Sequence, residues 1–182
     1  MFDNSWIIKF EELWKIASPG QGKLEYCLFL SFAKNYLAWC EVLRPVVVEI
    51  GVRRGHQRVF YKELLNADYI GIDINADFTK GDNYILGDSR KAETFKILAK
   101  RLKGRRIDLL FIDGNHNYQA VKRDWELYSP ITSCMVAIHD ILWSGVKQFW
   151  AELCERKYRV IEFKCPQREN RNKDDGLGVV LI

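Results

Sequence analysis

No long apolar run in these 182 residues is free of charge. The most membrane-like stretch, 26–43, carries Lys34, Asn35 and Glu41, so it reads as an amphipathic core helix rather than a span. Asp3, Asn4 and Lys9 interrupt the N-terminus, and the expectation is a cytoplasmic chain without a secretory leader or a membrane partner. Paired cysteine spacing is missing too. Cys27, Cys40, Cys134, Cys154 and Cys165 are odd in number and contain no C-x-x-C, which argues for free thiols in a reducing compartment rather than a disulfide framework. Strong net charge is also absent: +4 tolerates nucleic acid without demanding it. The one basic cluster, Lys103, Arg105 and Arg106 around Gly104, lacks interleaved aromatics and reads as a solvated helix end, so a nucleic-acid partner is not expected. Neither repeats nor low-complexity segments appear, and the length fits one domain with a real core.

What is there begins at Val46-Val47-Val48-Glu49-Ile50-Gly51-Val52-Arg53-Arg54-Gly55. A β-branched run ends in an acid, a glycine, a short turn and a second glycine. A helical pattern with Val59, Phe60 and Leu64 follows, then a second strand, Tyr69-Ile70-Gly71-Ile72-Asp73. This is the opening of a Rossmann-type sheet. Gly51 lets the chain turn off the strand, and Gly55 permits a close approach of backbone or ligand. Asp73 lies ~20 residues beyond the glycines, where a carboxylate accepts hydrogen bonds from ribose hydroxyls. The full dinucleotide fingerprint G-x-G-x-x-G is missing, which counts against an NAD-dependent enzyme.

Further along, residues 84–89 read as a short strand ending in Gly87-Asp88-Ser89, and a helix runs over about 90–102. Ile107-Asp108-Leu109-Leu110-Phe111-Ile112-Asp113 has the near-continuous apolar character of a central parallel strand, with the turn Gly114-Asn115-His116-Asn117 after it. Cys134-Met135-Val136-Ala137-Ile138-His139-Asp140 is the next strand. The last two, 158–163 and 177–182, have no helix between them and must pair antiparallel. Residues 1–43 form a helical lead-in before a core at 44–182. In an open α/β sheet ligands bind beyond the carboxyl ends of the strands, and each such end here is acidic or bears histidine: Glu49, Asp73, Asp88, Asp113 with His116, and His139 with Asp140. Asp124, inside a helix, reads as a partner for lysine or arginine.

Glu49-x-Gly51-x-x-x-Gly55 followed by Gly71-Ile72-Asp73 resembles motifs one and two of class I S-adenosylmethionine-dependent methyltransferases. Ile-Asp-Gly-Asn-His-Asn-Tyr at 112–118, Val-Lys-Arg-Asp at 121–124, Tyr-Ser-Pro at 128–130, His-Asp at 139–140 and the segments 145–153 and 176–180 resemble one subgroup of them. That subgroup comprises small sugar and antibiotic O-methyltransferases and cephalosporin-hydroxylase-like proteins, the methyltransferase family 24 type. Two positions depart from it: Arg53 stands where motif one has glycine, and Ser133-Cys134 where a Gly-Gly turn is usual.

The resemblance implies a Rossmann-like, doubly wound α/β fold with a mostly parallel seven-stranded sheet and an antiparallel last strand. It places Glu49, Gly51 and Gly55, with Arg54 of the same turn, around the methionine part of S-adenosyl-L-methionine, Asp73 at the ribose, and Asp88 and Ser89 at the adenine, and it makes residues 18–22 of the lead-in a lid candidate over the cofactor. It also implies a divalent ion, Mg²⁺ or Mn²⁺, held by Asp113 and Asp140 with His139, and Asp113, His116 and His139 as the catalytic group. The expected reaction is O-methylation of a hydroxyl on a small molecule or sugar, and self-association into a homo-oligomer is left open. Two other classes stay in view: an adenosyl-binding module of the same fold without catalysis, and a metal-dependent phosphoesterase. The second lacks the D-x-H and G-H-x-H elements such enzymes require. The loop 164–176, with Arg168, Arg171, Lys173, Asp174 and Asp175, leaves the sheet at the site edge and is a candidate for contact with the acceptor.

Overall fold

In the computed structural model, residues 4–17, 19–78, 81–156, 158–164 and 176–182 are described. The lead-in consists of helices α1 (Asn4–Ile16) and α2 (Lys23–Trp39). Strands and helices then alternate as β1 (Val46–Ile50), α3 (Gln57–Leu65), β2 (Asp68–Asp73), β3 (Tyr84–Leu86), α4 (Ala92–Leu102), β4 (Ile107–Ile112), α5 (Tyr118–Tyr128), β5 (Thr132–His139) and α6 (Ser144–Glu155). The hairpin strands β6 (Arg159–Phe163) and β7 (Leu177–Leu181) complete a seven-stranded sheet of order β3-β2-β1-β4-β5-β7-β6. All neighbours are parallel except β7, which runs antiparallel to both β5 and β6. The reversed last strand therefore inserts between β5 and β6 rather than closing the edge.

Strand alternation divides the core into two. Val47 of β1, Leu109 and Phe111 of β4 and Met135 and Ala137 of β5 face α1, α2 and α3, where Phe10, Tyr26, Phe29 and Phe60 fill the space. Val46, Val48, Ile50, Leu110, Ile112 and Val136 face the other way, against Leu98 of α4, Trp125 of α5 and Phe149 of α6. Phe29 has no exposed surface and its ring meets those of Tyr26, Phe111 and Phe163. The lead-in is thus one layer of the core.

α2 stops at Trp39, within the stretch 26–43 that reads as one helix in the sequence, because Glu41 turns left-handed (φ 61°). Glu41 N–H then donates to Ala38 O and Val42 N–H to Leu37 O, the Schellman closure of a helix end. The basic cluster after α4 is more than a solvated end. Arg105 pairs with Asp68 at 2.6 Å, and Arg106 donates to Thr132 O at 2.6 Å, tying the amino ends of the strands. Cys27, Cys40, Cys134 and Cys154 are free thiols, and Cys165 lies outside the described residues. Among the described residues no helix is long and apolar enough to cross a membrane.

Candidate active site

The chain runs outward from β1 to β2 and β3, then returns to β4 on the other side of β1. At that switch point the two carboxyl ends must approach closely while leaving a crevice. Gly51 makes this possible. Its φ of 87° is left-handed, and a Cβ there would fall 2.1 Å from the carbonyl oxygen of Asp113. Main-chain hydrogen bonds bind the tips together: Gly51 N–H to Ile72 O at 2.9 Å and Asp113 N–H to Ile50 O at 2.8 Å.

Above these tips opens a cavity of about 940 Å³. Asp73, Asp88 and Ser89 border one end, and Asp113, His116, His139 and Asp140 the other, with Gly51 between them. Those candidates from the sequence come together at one site. Glu49, Arg54 and Gly55 are not among the residues bordering it. Glu49 shares the strand face of Val47 and is fully buried towards the lead-in, where the Tyr69 hydroxyl donates to its Oε2. Burial, only partly offset by that bond, pushes its carboxyl well above the usual range. Arg53 borders the cavity with φ 50°, its N–H donating to Asp73 Oδ2 at 3.0 Å. An arginine thus occupies the left-handed region that glycine favours. Of the lid candidate, Gly20 and Gln21 border the cavity, and Ser18 lies outside the described residues. Arg168, Arg171, Lys173, Asp174 and Asp175 of the acceptor-loop candidate lie outside them as well.

At the far end, two imidazoles and two carboxylates alternate around a small gap. His139 Nδ1 is 3.3 Å from Asp113 Oδ1 and 3.4 Å from Asp140 Oδ2. His116 Nε2 lies 2.6 Å from Asp140 Oδ2 and 3.6 Å from Asp113 Oδ1, close in charge but not directed as a hydrogen bond. Ligand atoms of all four residues fall within 4.8 Å of one another. Asp140 adopts a left-handed φ of 58°, a strained state that persists only where surrounding contacts enforce it. The His116 turn is braced from behind by α6: a Cβ on Gly145 would come within 2.3 Å of His116 O.

Electrostatics follow from this packing. Asp113 and then Asp140 raise His116 to about 9. For His139, burial opposes charge, yet Asp113, Asp140 and Glu25 together outweigh it and its pKa rises. Burial also opposes ionisation of Asp140, but His116 and His139 hold it at about 2. The cluster thus keeps its carboxylates ionised and calls for positive charge between them, as protons on the imidazoles or as a bound cation.

Three residues take parts in the site that the sequence did not assign to them. Gln21 Nε2 donates to Asp113 Oδ2 at 2.7 Å, and Glu25 Oε1 lies 3.5 Å from His139 Nε2. Glu25 falls one turn before Phe29 on the buried stripe of α2, and that spacing was the available signal. Asp124 is 1% exposed and accepts from the Ser89 hydroxyl at 2.7 Å. Its principal partner is therefore a hydroxyl at the cavity wall rather than a surface cation.

The sequence model of a methyltransferase domain matches residues 48–141. No protein of curated function matches the sequence. Among solved structures, the chain is similar to the MycE methyltransferase of the mycinamycin biosynthetic pathway, in complex with Mg and S-adenosylhomocysteine (17% identity, TM-score 0.66, 94% of this chain and 53% of that one). It is also similar to the O-methyltransferase TomG of Streptomyces achromogenes, involved in tomaymycin synthesis and solved with S-adenosylmethionine (14%, 0.64, 100% and 91%). A third is an O-methyltransferase of Bacillus cereus in complex with S-adenosylhomocysteine (11%, 0.57, 98% and 99%). The chain spans about half the length of MycE.

Proposed function

The chain belongs to the methyltransferase-domain family, and from that premise we propose that it transfers a methyl group from S-adenosylmethionine to a hydroxyl of a small molecule or sugar. The observation that carries this reading is the division of the cavity: a ribose-type carboxylate at the tip of β2, and an imidazole–carboxylate cluster across the switch point at the tips of β4 and β5. A divalent ion fits that cluster, because both ring nitrogens of buried His139 lack a hydrogen-bond partner while carboxylate oxygens stand near Nδ1. Asp113, His139 and Asp140 would hold it, and when bound it would lower the pKa of the acceptor hydroxyl.

Each remaining role belongs to the chain. Asp73 already accepts from Arg53 N–H and Asn75 N–H, which fixes its carboxylate while leaving lone pairs for ribose hydroxyls. Asp88 and Ser89 border the adenine end. His116, the more exposed of the two imidazoles, borders the cavity and, with its pKa raised to about 9, carries a proton at neutral pH, so it acts as a cationic hydrogen-bond donor beside the acceptor oxygen. Asp113 and Asp140 stabilise that charge on the ring. The walls then contribute mainly alignment of acceptor oxygen, methyl carbon and sulfur.

Calorimetric titration with S-adenosylmethionine, S-adenosylhomocysteine and NAD tests the proposal. Micromolar binding of the first two with NAD silent supports it; a folded protein that binds neither adenosyl ligand ends it. Asp113→Asn and Asp140→Asn are then expected to abolish turnover with folding retained, and full activity in both removes the metal from the mechanism.

A further inference from the structure

An ion at these strand tips would ordinarily be assigned to Mg²⁺, which prefers oxygen ligands and several retained waters. The surroundings of His139 argue otherwise. The residue is 6% exposed, its ring lies against Phe111, and neither nitrogen has a hydrogen-bond partner. A buried polar group left in that state costs about 1–3 kcal/mol unless something else satisfies it. Asp113 Oδ1 and Asp140 Oδ2 are 3.3 and 3.4 Å from Nδ1. Such spacings are what donors sharing one small cation keep, about 3.0–3.5 Å for bonds of about 2.0–2.2 Å. On the other side of the ring, Glu25 Oε1 is 3.5 Å from Nε2, 3% exposed as a residue, and equally without a hydrogen-bond partner.

The two nitrogens of an imidazole are linked through its tautomer. If Nδ1 gives its lone pair to a cation, Nε2 must carry the proton, and Glu25 stands where that proton needs an acceptor. Gln21 acts similarly on Asp113: by donating to Oδ2 at 2.7 Å it leaves Oδ1 directed at the gap. The lead-in thereby positions two of the three ligands from behind.

We infer that Asp113, His139 through Nδ1, and Asp140 form a site selective for a first-row transition-metal dication (Mn²⁺, Fe²⁺ or Co²⁺) over Mg²⁺, with Glu25 as the positioning carboxylate behind His139. The inference rests on the methyltransferase reading only for the use to which the ion is put.

The test uses metal-stripped full-length protein titrated calorimetrically with MnCl₂, CoCl₂ and MgCl₂, alongside S-adenosylhomocysteine binding in EDTA. Mn²⁺ or Co²⁺ is expected to bind at least about tenfold more tightly than Mg²⁺. Pulsed EPR of bound Mn²⁺ is expected to show imidazole nitrogen coupling that His139→Asp removes and His116→Asn retains. Glu25→Gln is expected to weaken Mn²⁺ binding by about 10–100-fold. Equal or preferential Mg²⁺ binding, no nitrogen coupling, or coupling lost only in His116→Asn overturns the inference. So does absence of any metal binding in protein that takes S-adenosylhomocysteine, which would leave the methyltransferase reading standing. Tight Mn²⁺ binding without the adenosyl ligand would do the reverse.

Discussion

Replacing Asp124 by asparagine is expected to stabilise the protein, and to do so only above a definite pH. Asp124 is 1% exposed, and burial, opposed by the Ser89 hydroxyl and by Arg90, raises its pKa to about 6. An unfolded aspartate titrates near 3.9. Below about pH 4 both states hold the proton and the residue is neutral in its effect. Between about pH 4 and 6 the unfolded chain ionises first and is favoured; above pH 6 the penalty is complete. A difference of about two pH units, at about 1.4 kcal/mol each, comes to roughly 3 kcal/mol. Asparagine keeps an acceptor for the Ser89 hydroxyl, now made at Oδ1 over 2.7 Å, and carries no charge to desolvate. Urea denaturation of the two proteins at pH 7.5 and again at pH 4.5 checks this. The variant is expected to gain about 1–3 kcal/mol at pH 7.5 and much less at pH 4.5. An unchanged or lower midpoint at pH 7.5, with the denaturant slope preserved, would refute the argument that burial strains this carboxylate.

Three other substitutions follow from packing and backbone geometry. Phe29→Ala, which empties a site between Tyr26, Phe111 and Phe163, is expected to cost about 3–5 kcal/mol in denaturant titration, a loss an accessory helix would not produce. Arg53→Gly relieves a left-handed residue at φ 50°, so thermal melting is expected to hold or rise by an amount equivalent to up to about 1 kcal/mol. A clear drop would mean that the arginine side chain holds the turn. Gly145→Ala drives a methyl group against His116 O; S-adenosylhomocysteine affinity is expected to survive while turnover falls about tenfold or more, read by separate binding and rate assays.

The sheet was readable because its strands announce themselves: Val46, Val47 and Val48, or Leu109, Leu110 and Phe111, are buried on both faces and cannot be mistaken for a solvated surface. The strand-tip rule then located Asp73, Asp88, Asp113, His116, His139 and Asp140 without any contact information. Glu49 ends the same kind of strand but stays off the cavity wall, because alternation along β1 and not position alone decides which face a side chain takes. Glu49 shares the face of Val47, while Val48 and Ile50 point the other way. Glu25 and Asp124 escaped for a different reason. Charged residues on helices are usually solvated, and only the tertiary placement of α2 and α5 turns these two inward.

The region matched by the family runs from 48 to 141, yet Gln21 and Glu25 reach the imidazole–carboxylate cluster from before it. The candidate site is thus assembled across a seam. One part is the sheet, whose tips hold the cluster; the other is a leading pair of helices that grips it from outside. Such a partition makes the two exchangeable in principle. A chimera carrying another relative's lead-in on this sheet would keep its strand order while losing the amide behind Asp113 and the carboxylate behind His139. Divergence in the leading helices could therefore retune the chemistry of the centre without altering a single residue at the strand tips.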